Sequence, residues 1–296
     1  MATQMKYDRA AEDIGNIVSL EHVNVQIDDQ RKSTLFYIAG LGLTRDPYMM
    51  VTVTNMWATV GRSQFHLPTN TAQVLRGRIG LVMPELDSLV ERLASVKKDL
   101  KGTKFSYKTG KGNSTVDVTC PWGNRFRVHT PDPERFGPYQ LGLPYVQFDV
   151  KLGTAEGIAR FYEQIMDAPS RVGKFDGAKS ARVMVGHGQE LIFSETKRRM
   201  PKFDGHHIQV YVADFSGPHR RLQELGLVSQ EDNQHQYRFV DIVDPDNGKK
   251  LFEIEHEIRS MTHPLYAREL VNRNPAQNIR VYREGYSDRP YLLPRA

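Results

Sequence analysis

The chain has 296 residues, 39% hydrophobic and 25% charged, the balance of a globular protein long enough for one large or two ordinary domains. No apolar run approaches the roughly 20 residues that cross a bilayer, and residues 1–8 lack the apolar stretch of a secretory signal. The net charge of +5 lies on scattered Lys and Arg without interleaved aromatics, which argues against a nucleic-acid surface, and the single cysteine, Cys120, excludes an internal disulfide or a cysteine-rich metal site and points to a reducing cytoplasm.

In chain order, a strand is expected over residues 19–27, with His22, Asn24 and Gln26 on one face. An amphipathic helix follows over Arg31–Ile38 and closes at Gly40-Leu41-Gly42-Leu43, where glycine suits a helix end. Three short strands come next, near Arg45–Met50, near Met56–Val60, and over Ser63–Pro68. A second unit repeats the order: a strand at residues 78–83, helical spacing at Leu86, Leu89, Val90 and Leu93, strands near Lys104–Tyr107 and Thr115–Thr119, then a Pro-Trp-Gly-Asn turn into Arg125–His129. A linker is expected over Pro131–Leu143. The third unit has a strand at residues 144–150, a helix over Glu156–Met166 whose Phe161-Tyr162 echoes Phe36-Tyr37, and strands at Ala181–Val185 and Glu190–Ser194. The fourth opens at Gly205-His206-His207-Ile208, continues with a helix over His219–Leu225, and ends in strands at Gln236–Val240 and Leu251–His256.

The repeat gives corresponding first-strand positions at His22, Arg78, Tyr145 and His207, and last-strand positions at His66, Arg127, Phe193 and Glu253, separated by 44, 49, 48 and 46 residues. Four similar spans with one internal order describe four βαβββ modules. The expected organisation is an N-terminal arm over 1–15, modules 1 and 2 over 16–135, modules 3 and 4 over 136–258, and an irregular extension over 259–296.

This order resembles the vicinal oxygen chelate superfamily of glyoxalase I, fosfomycin-resistance proteins, epimerases and extradiol dioxygenases. Glu21-His22-Val23, Phe36-Tyr37, His206-His207-Ile208 and Asp244-Pro245 leading to Leu251-Phe252-Glu253-Ile254 carry the resemblance, which covers residues 16–258. It implies an α+β fold in which paired modules form open β-barrels with a metal inside. If neighbouring modules paired, the ligand-type residues would be divided between the barrels. Pairing module 1 with 4 and 2 with 3 gathers His22, His66, His207 and Glu253 in one barrel and leaves Arg78, Arg127, Tyr145 and Phe193 in the other.

The crossed pairing resembles that of a subset of hydroquinone-cleaving dioxygenases in the superfamily. The resemblance therefore implies a cytoplasmic Fe(II)-dependent oxidoreductase acting on a catechol or hydroquinone-like diol and dioxygen, with Mn(II) as an alternative metal. His22, His207 and Glu253 would be ligands, and His66 either an acid/base group or a fourth ligand. Two imidazoles and a carboxylate leave three open positions on an octahedral ion. Four ligands suit instead a lyase or isomerase of glyoxalase or epimerase type using Zn(II), Ni(II) or Co(II). A third reading is a non-catalytic protein that binds a small aromatic compound. Tyr237 and Arg238 are expected beside the site as groups able to hydrogen-bond a substrate oxyanion. Glu255 shares a strand face with Glu253 and takes its place if the hairpin register shifts, because Lys249-Lys250 lengthens this turn. Homo-oligomeric assembly is expected, with no nucleic-acid or membrane partner.

Overall fold

The computed structural model describes residues 7–47, 54–137 and 139–268. The first module is β1 (Ile17–Asn24), α1 (Gln30–Ser33) running into a wider π-helix (Thr34–Gly40), β2 (Thr44–Arg45), β3 (Asn55–Val60) and β4 (Ser63–Pro68). Asp29 starts the helix by accepting from the backbone N–H groups of Arg31 and Lys32, two of the donors a helix start leaves unpaired. The second module is β5 (Gly77–Val82), α2 (Leu86–Val96), β6 (Ser106–Thr109), β7 (Thr115–Thr119) and β8 (Arg125–His129). The expected linker contains a short helix, α3 (Pro133–Phe136), started by Asp132. The third module is β9 (Gly142–Lys151), α4 (Ala155–Met166), β10 (Ser170–Phe175), β11 (Ala178–Met184) and β12 (Glu190–Thr196). The fourth is β13 (His207–Val212), α5 (Ser216–Glu224), β14 (Val228–Asn233), β15 (Gln236–Val243) and β16 (Lys250–Ser260).

The strands form two eight-stranded sheets, ordered β14-β15-β16-β13-β1-β4-β3-β2 and β10-β11-β12-β9-β5-β8-β7-β6. Module 1 is therefore joined to module 4, and module 2 to module 3, through antiparallel β1–β13 and β5–β9 pairs. Each sheet draws on both halves of the chain. Gly77 shows how closely β5 and β9 approach: a Cβ there would lie 1.8 Å from the carbonyl oxygen of Gln147, so only glycine fits.

Helices cover the back of each sheet because their apolar faces recur at helical spacing. Leu86, Leu89, Leu93 and Val96 of α2 are buried, as are Ile158, Phe161, Tyr162 and Ile165 of α4. The paired aromatics anchor the helices edge-on, Phe36 against Tyr37 at 4.9 Å and Phe161 against Tyr162 at 5.7 Å. Rings of this size dominate the burial term, at roughly 2–3 kcal/mol per fully buried side chain. With the backs covered, the concave fronts are left for polar side chains.

Two strands absent from the expected pattern are β10 and β14. Both are edge strands with mostly exposed residues, so neither carries an apolar alternation. The strand expected over Arg45–Met50 is seen at Thr44–Arg45, and residues 48–53 lie outside the described part. Of the 259–296 extension, Arg259 and Ser260 end β16 and residues 269–296 lie outside the described part. Among the described residues no helix is long and apolar enough to cross a membrane.

Candidate metal centre

The concave face of the first sheet is built in rows, because neighbouring strands place level residues on the same side. One row runs Glu257, Gln209, His22, Gln64, and the next runs Glu255, His207, Asn24, His66, Trp57. Three histidines from three strands thereby meet. One nitrogen from each of His22, His66 and His207 lies within 4.8 Å of the others. The ring of His22 is 5.9 Å from that of His66 and 5.7 Å from that of His207, and His66 is stacked on Trp57 at 4.0 Å.

Each imidazole is oriented through its Nδ1. Nδ1 of His22 lies 3.3 Å from Oε2 of Glu21, and Nδ1 of His207 lies 3.1 Å from Oε2 of Glu255. A carboxylate at Nδ1 holds the proton there and leaves Nε2 with its lone pair. In both residues Nε2 is buried without a hydrogen-bond partner among the described residues. Buried polar atoms are nearly always satisfied, so two orphaned ring nitrogens on one concave face suit a bound cation. Glu21 reaches its own neighbour because β1 bulges here: Glu21 and His22 together oppose Gln209 of β13.

His66 differs. The amide Nδ2 of Asn24 lies 2.7 Å from its Nδ1 and, as a donor, requires that nitrogen to accept. In that arrangement the proton of His66 is on Nε2, whereas His22 and His207 carry theirs on Nδ1 and leave the Nε2 lone pair free.

Carboxylates and guanidiniums surround the histidines. Oε2 of Glu257 lies 3.4 Å from Nε2 of His207, 2.5 Å from Nη2 of Arg238 and accepts a hydrogen bond from that guanidinium. Its Oε1 lies 2.5 Å from Nη2 of Arg259. Burial opposes charge on Glu257, but the neighbouring His207 and the Arg259 guanidinium outweigh it and hold this carboxyl far below the usual range. Burial likewise opposes charge on Glu21 and Glu255, and their histidine and arginine partners keep both carboxyls low. Burial pushes His22 below the ordinary imidazole value, and burial with the neighbouring His22 and His207 pushes His66 well below it. Neutral imidazoles are the form that binds metal.

Glu253 does not join this group. It stands at the rim, its carboxylate 37% exposed and 2.5 Å from Nζ of Lys250, with Nη1 of Arg76 at 3.8 Å. The reason is register. Phe239 pairs with His256 but Asp241 pairs with Glu253, so β16 has one extra residue between them. His207, the first residue of β13, is level with Glu255, which leaves Glu253 beyond the end of that strand. Glu255 and Glu257 occupy the inner positions instead.

Tyr237 also lies elsewhere. It pairs with Ile258 on the helix side of the sheet and packs against Phe215 at 5.0 Å and His219 at 4.9 Å. Burial there raises its phenol far above the ordinary value. Arg238 is on the concave face, where Asp232, Glu255 and Glu257 all hold it. Its role in the site is charge compensation of those acids. Glu257, Asn24 and Arg259 are not evident as site residues from the sequence. The first had a visible signal, since Glu253, Glu255 and Glu257 alternate along one strand.

Neither a protein-family model nor a curated protein matches the chain. Solved structures do. A candidate dioxygenase from Bacillus subtilis subsp. subtilis str. 168 aligns over 95% of this chain and 93% of its own, at 13% identity and a TM-score of 0.57. Glyoxalase I from Zea mays aligns over 82% of this chain and 92% of its own, at 16% identity and a TM-score of 0.57. At such identities the likeness concerns the fold: two open, module-paired sheets of the vicinal oxygen chelate type.

Proposed function

From a chain with the vicinal oxygen chelate fold, we propose a metal-dependent enzyme, a ring-cleaving dioxygenase that uses Fe(II) and acts on a catechol or hydroquinone-like diol. The observation that carries this reading is the pair of buried, unpartnered Nε2 atoms on His22 and His207, each set by a carboxylate at Nδ1. The metal would be held by His22 and His207, with Glu257 as the adjacent carboxylate and Glu255 and Glu21 fixing the rings. Two imidazoles and one carboxylate suit non-haem Fe(II) and leave positions for two substrate oxygens and dioxygen. Fe(II) bound there would supply Lewis-acid and redox chemistry that amino-acid side chains lack.

The chain's own residues supply the rest. His66 holds a proton on Nε2 beside the two ligands, placed to exchange it with a diol hydroxyl. Trp57, stacked on His66, fixes that ring and adds an apolar surface. Arg238 and Arg259 offset the charge of Glu255, Glu257 and Glu21, so the acidic ring can remain ionised in a buried place.

A second reading has its own support. His66 is within 4.8 Å of the other histidine donors. Turning over the Asn24 amide would let its oxygen accept from Nδ1 and would free Nε2 of His66 as a further ligand. That set suits a lyase or isomerase of glyoxalase type with Zn(II), Ni(II) or Co(II). The test is anaerobic reconstitution with each metal, followed by oxygen-electrode assays on a panel of aromatic diols. Oxygen uptake that needs both Fe(II) and a diol supports the dioxygenase. Proton exchange without oxygen uptake supports the second reading.

A further inference from the structure

The second sheet has the same concavity with different chemistry. Where the first carries histidines, this one carries Arg78, Arg127, Tyr145 and Gln147. One end is closed by ion pairs: Asp176 receives Arg78 at 2.5 Å and Arg127 at 2.9 Å, and Asp117 receives Arg127 at 2.7 Å. The other end is open. A hollow of about 190 Å³ is lined there by Arg135, Phe136, Tyr145, Phe175 and Arg182, and also by Arg171 and Glu190.

Three features of this hollow point to one kind of ligand. Phe136, Tyr145 and Phe175 form, with Val82 and Ile192, an apolar cluster separate from the main core. Tyr145 and Phe175 meet edge-on at 5.4 Å, and the Tyr145 ring lies over Gly80, where a Cβ would come within 2.2 Å of it. Three guanidiniums face a single carboxylate. Glu190 takes both Arg171 and Arg182, and among the described residues Arg135 has no acidic partner and lies 4.9 Å from the centre of the Phe136 ring. The lining thus carries two excess positive charges beside aromatic walls. Its volume is below the about 300 Å³ at which drug-sized sites begin, and suits one substituted ring. His129, hydrogen-bonded to the Tyr145 hydroxyl at 2.9 Å, backs the pocket and is kept neutral by burial and by Arg135, Arg127 and Arg78.

We propose that this hollow binds a small aromatic carboxylate, with its ring against Phe136, Tyr145 and Phe175 and its carboxylate on Arg135, Arg171 and Arg182. Arginine suits that task because its planar donors match a carboxylate and stack on rings. The site stands on the sheet that lacks the three-histidine cluster, so it operates independently of the metal centre.

Isothermal titration calorimetry on the full chain tests it, with benzoate as probe and benzyl alcohol and inorganic phosphate as controls. Benzoate is expected to bind at one site, and both controls about tenfold or more weakly, since one lacks the charge and the other the ring. Arg135→Gln and Arg171→Gln should each weaken benzoate about tenfold. Both residues are exposed, so their replacement leaves folding intact. His207→Ala should leave benzoate binding unchanged, which separates this site from the metal centre. Absence of benzoate binding, equal affinity for either control, or loss of binding in His207→Ala with none in Arg135→Gln would overturn the proposal.

Discussion

Oε2 of Glu255 lies 3.1 Å from Nδ1 of His207, and the Nε2 of the same ring has no hydrogen-bond partner among the described residues. The carboxylate decides which nitrogen carries the proton and which offers a lone pair. Glu255→Ala should therefore weaken metal binding about 10- to 100-fold without removing a ligand. Chelator competition on the reconstituted protein measures this, and an unchanged affinity would show that Glu255 does not set the ring.

His66 separates the two functional readings. As a proton carrier it can be lost without loss of metal, so His66→Gln should keep metal content near the wild-type level while kcat falls about 10²- to 10⁴-fold. Paired metal analysis and turnover assays read both quantities. Loss of the metal in His66→Gln would assign this residue as a ligand and favour the lyase or isomerase.

Glu257 is 2% exposed and touches both Arg238 and Arg259. Its removal takes a counter-charge from the buried Arg259 guanidinium and from the half-buried Arg238. Glu257→Ala should destabilise the metal-free protein by about 3–5 kcal/mol, and Glu253→Ala, at the rim, by under about 1 kcal/mol. Urea unfolding midpoints distinguish the two. Equal losses would contradict the inner placement of Glu257.

The stability of the second sheet should depend on pH through His129. Burial, aided by Arg135, Arg127 and Arg78, lowers this imidazole to about 4 from an ordinary value of 6.5. The ring is neutral in both states above pH 6.5, so its contribution is complete there. As the pH falls from 6.5 towards 4 the unfolded chain takes up the proton first, and folding loses roughly 2 kcal/mol from this group. His129→Gln should remove that part of the slope between pH 7 and pH 4 in urea titrations. An unaltered slope would show that His129 titrates alike in both states.

Much of the fold is legible in the sequence because its signals are local and repeated. The period of the four modules, the Phe36-Tyr37 and Phe161-Tyr162 pairs, and the glycine-closed first helix each follow from burial on one face. The gathering of His22, His66 and His207 is legible for the same reason, since each sits at a repeat position on a strand. What escapes is register. β10 and β14 are solvated edge strands that carry no alternation, and only pairing with β11 and β15 defines them. The extra residue in β16 takes Glu253 out of the inner position; Glu255 is legible as the alternative from the lengthened Lys249-Lys250 turn, but which carboxylate lies beside the histidines is decided by strand pairing. Tyr237 is lost for a related reason: it and Arg238 are neighbours on one strand and so point to opposite faces, and only one can meet the histidines.

In the proposed site His22 and His207 hold a divalent metal through their free Nε2 atoms. Anaerobic reconstitution of the full chain with Fe(II), desalting and metal quantification test it most directly, on wild type, His207→Ala and Glu253→Ala, with circular dichroism to verify folding. About one metal per chain is expected in wild type and in Glu253→Ala, and almost none in folded His207→Ala. Wild-type metal content in His207→Ala, or no metal in the wild type, would contradict it.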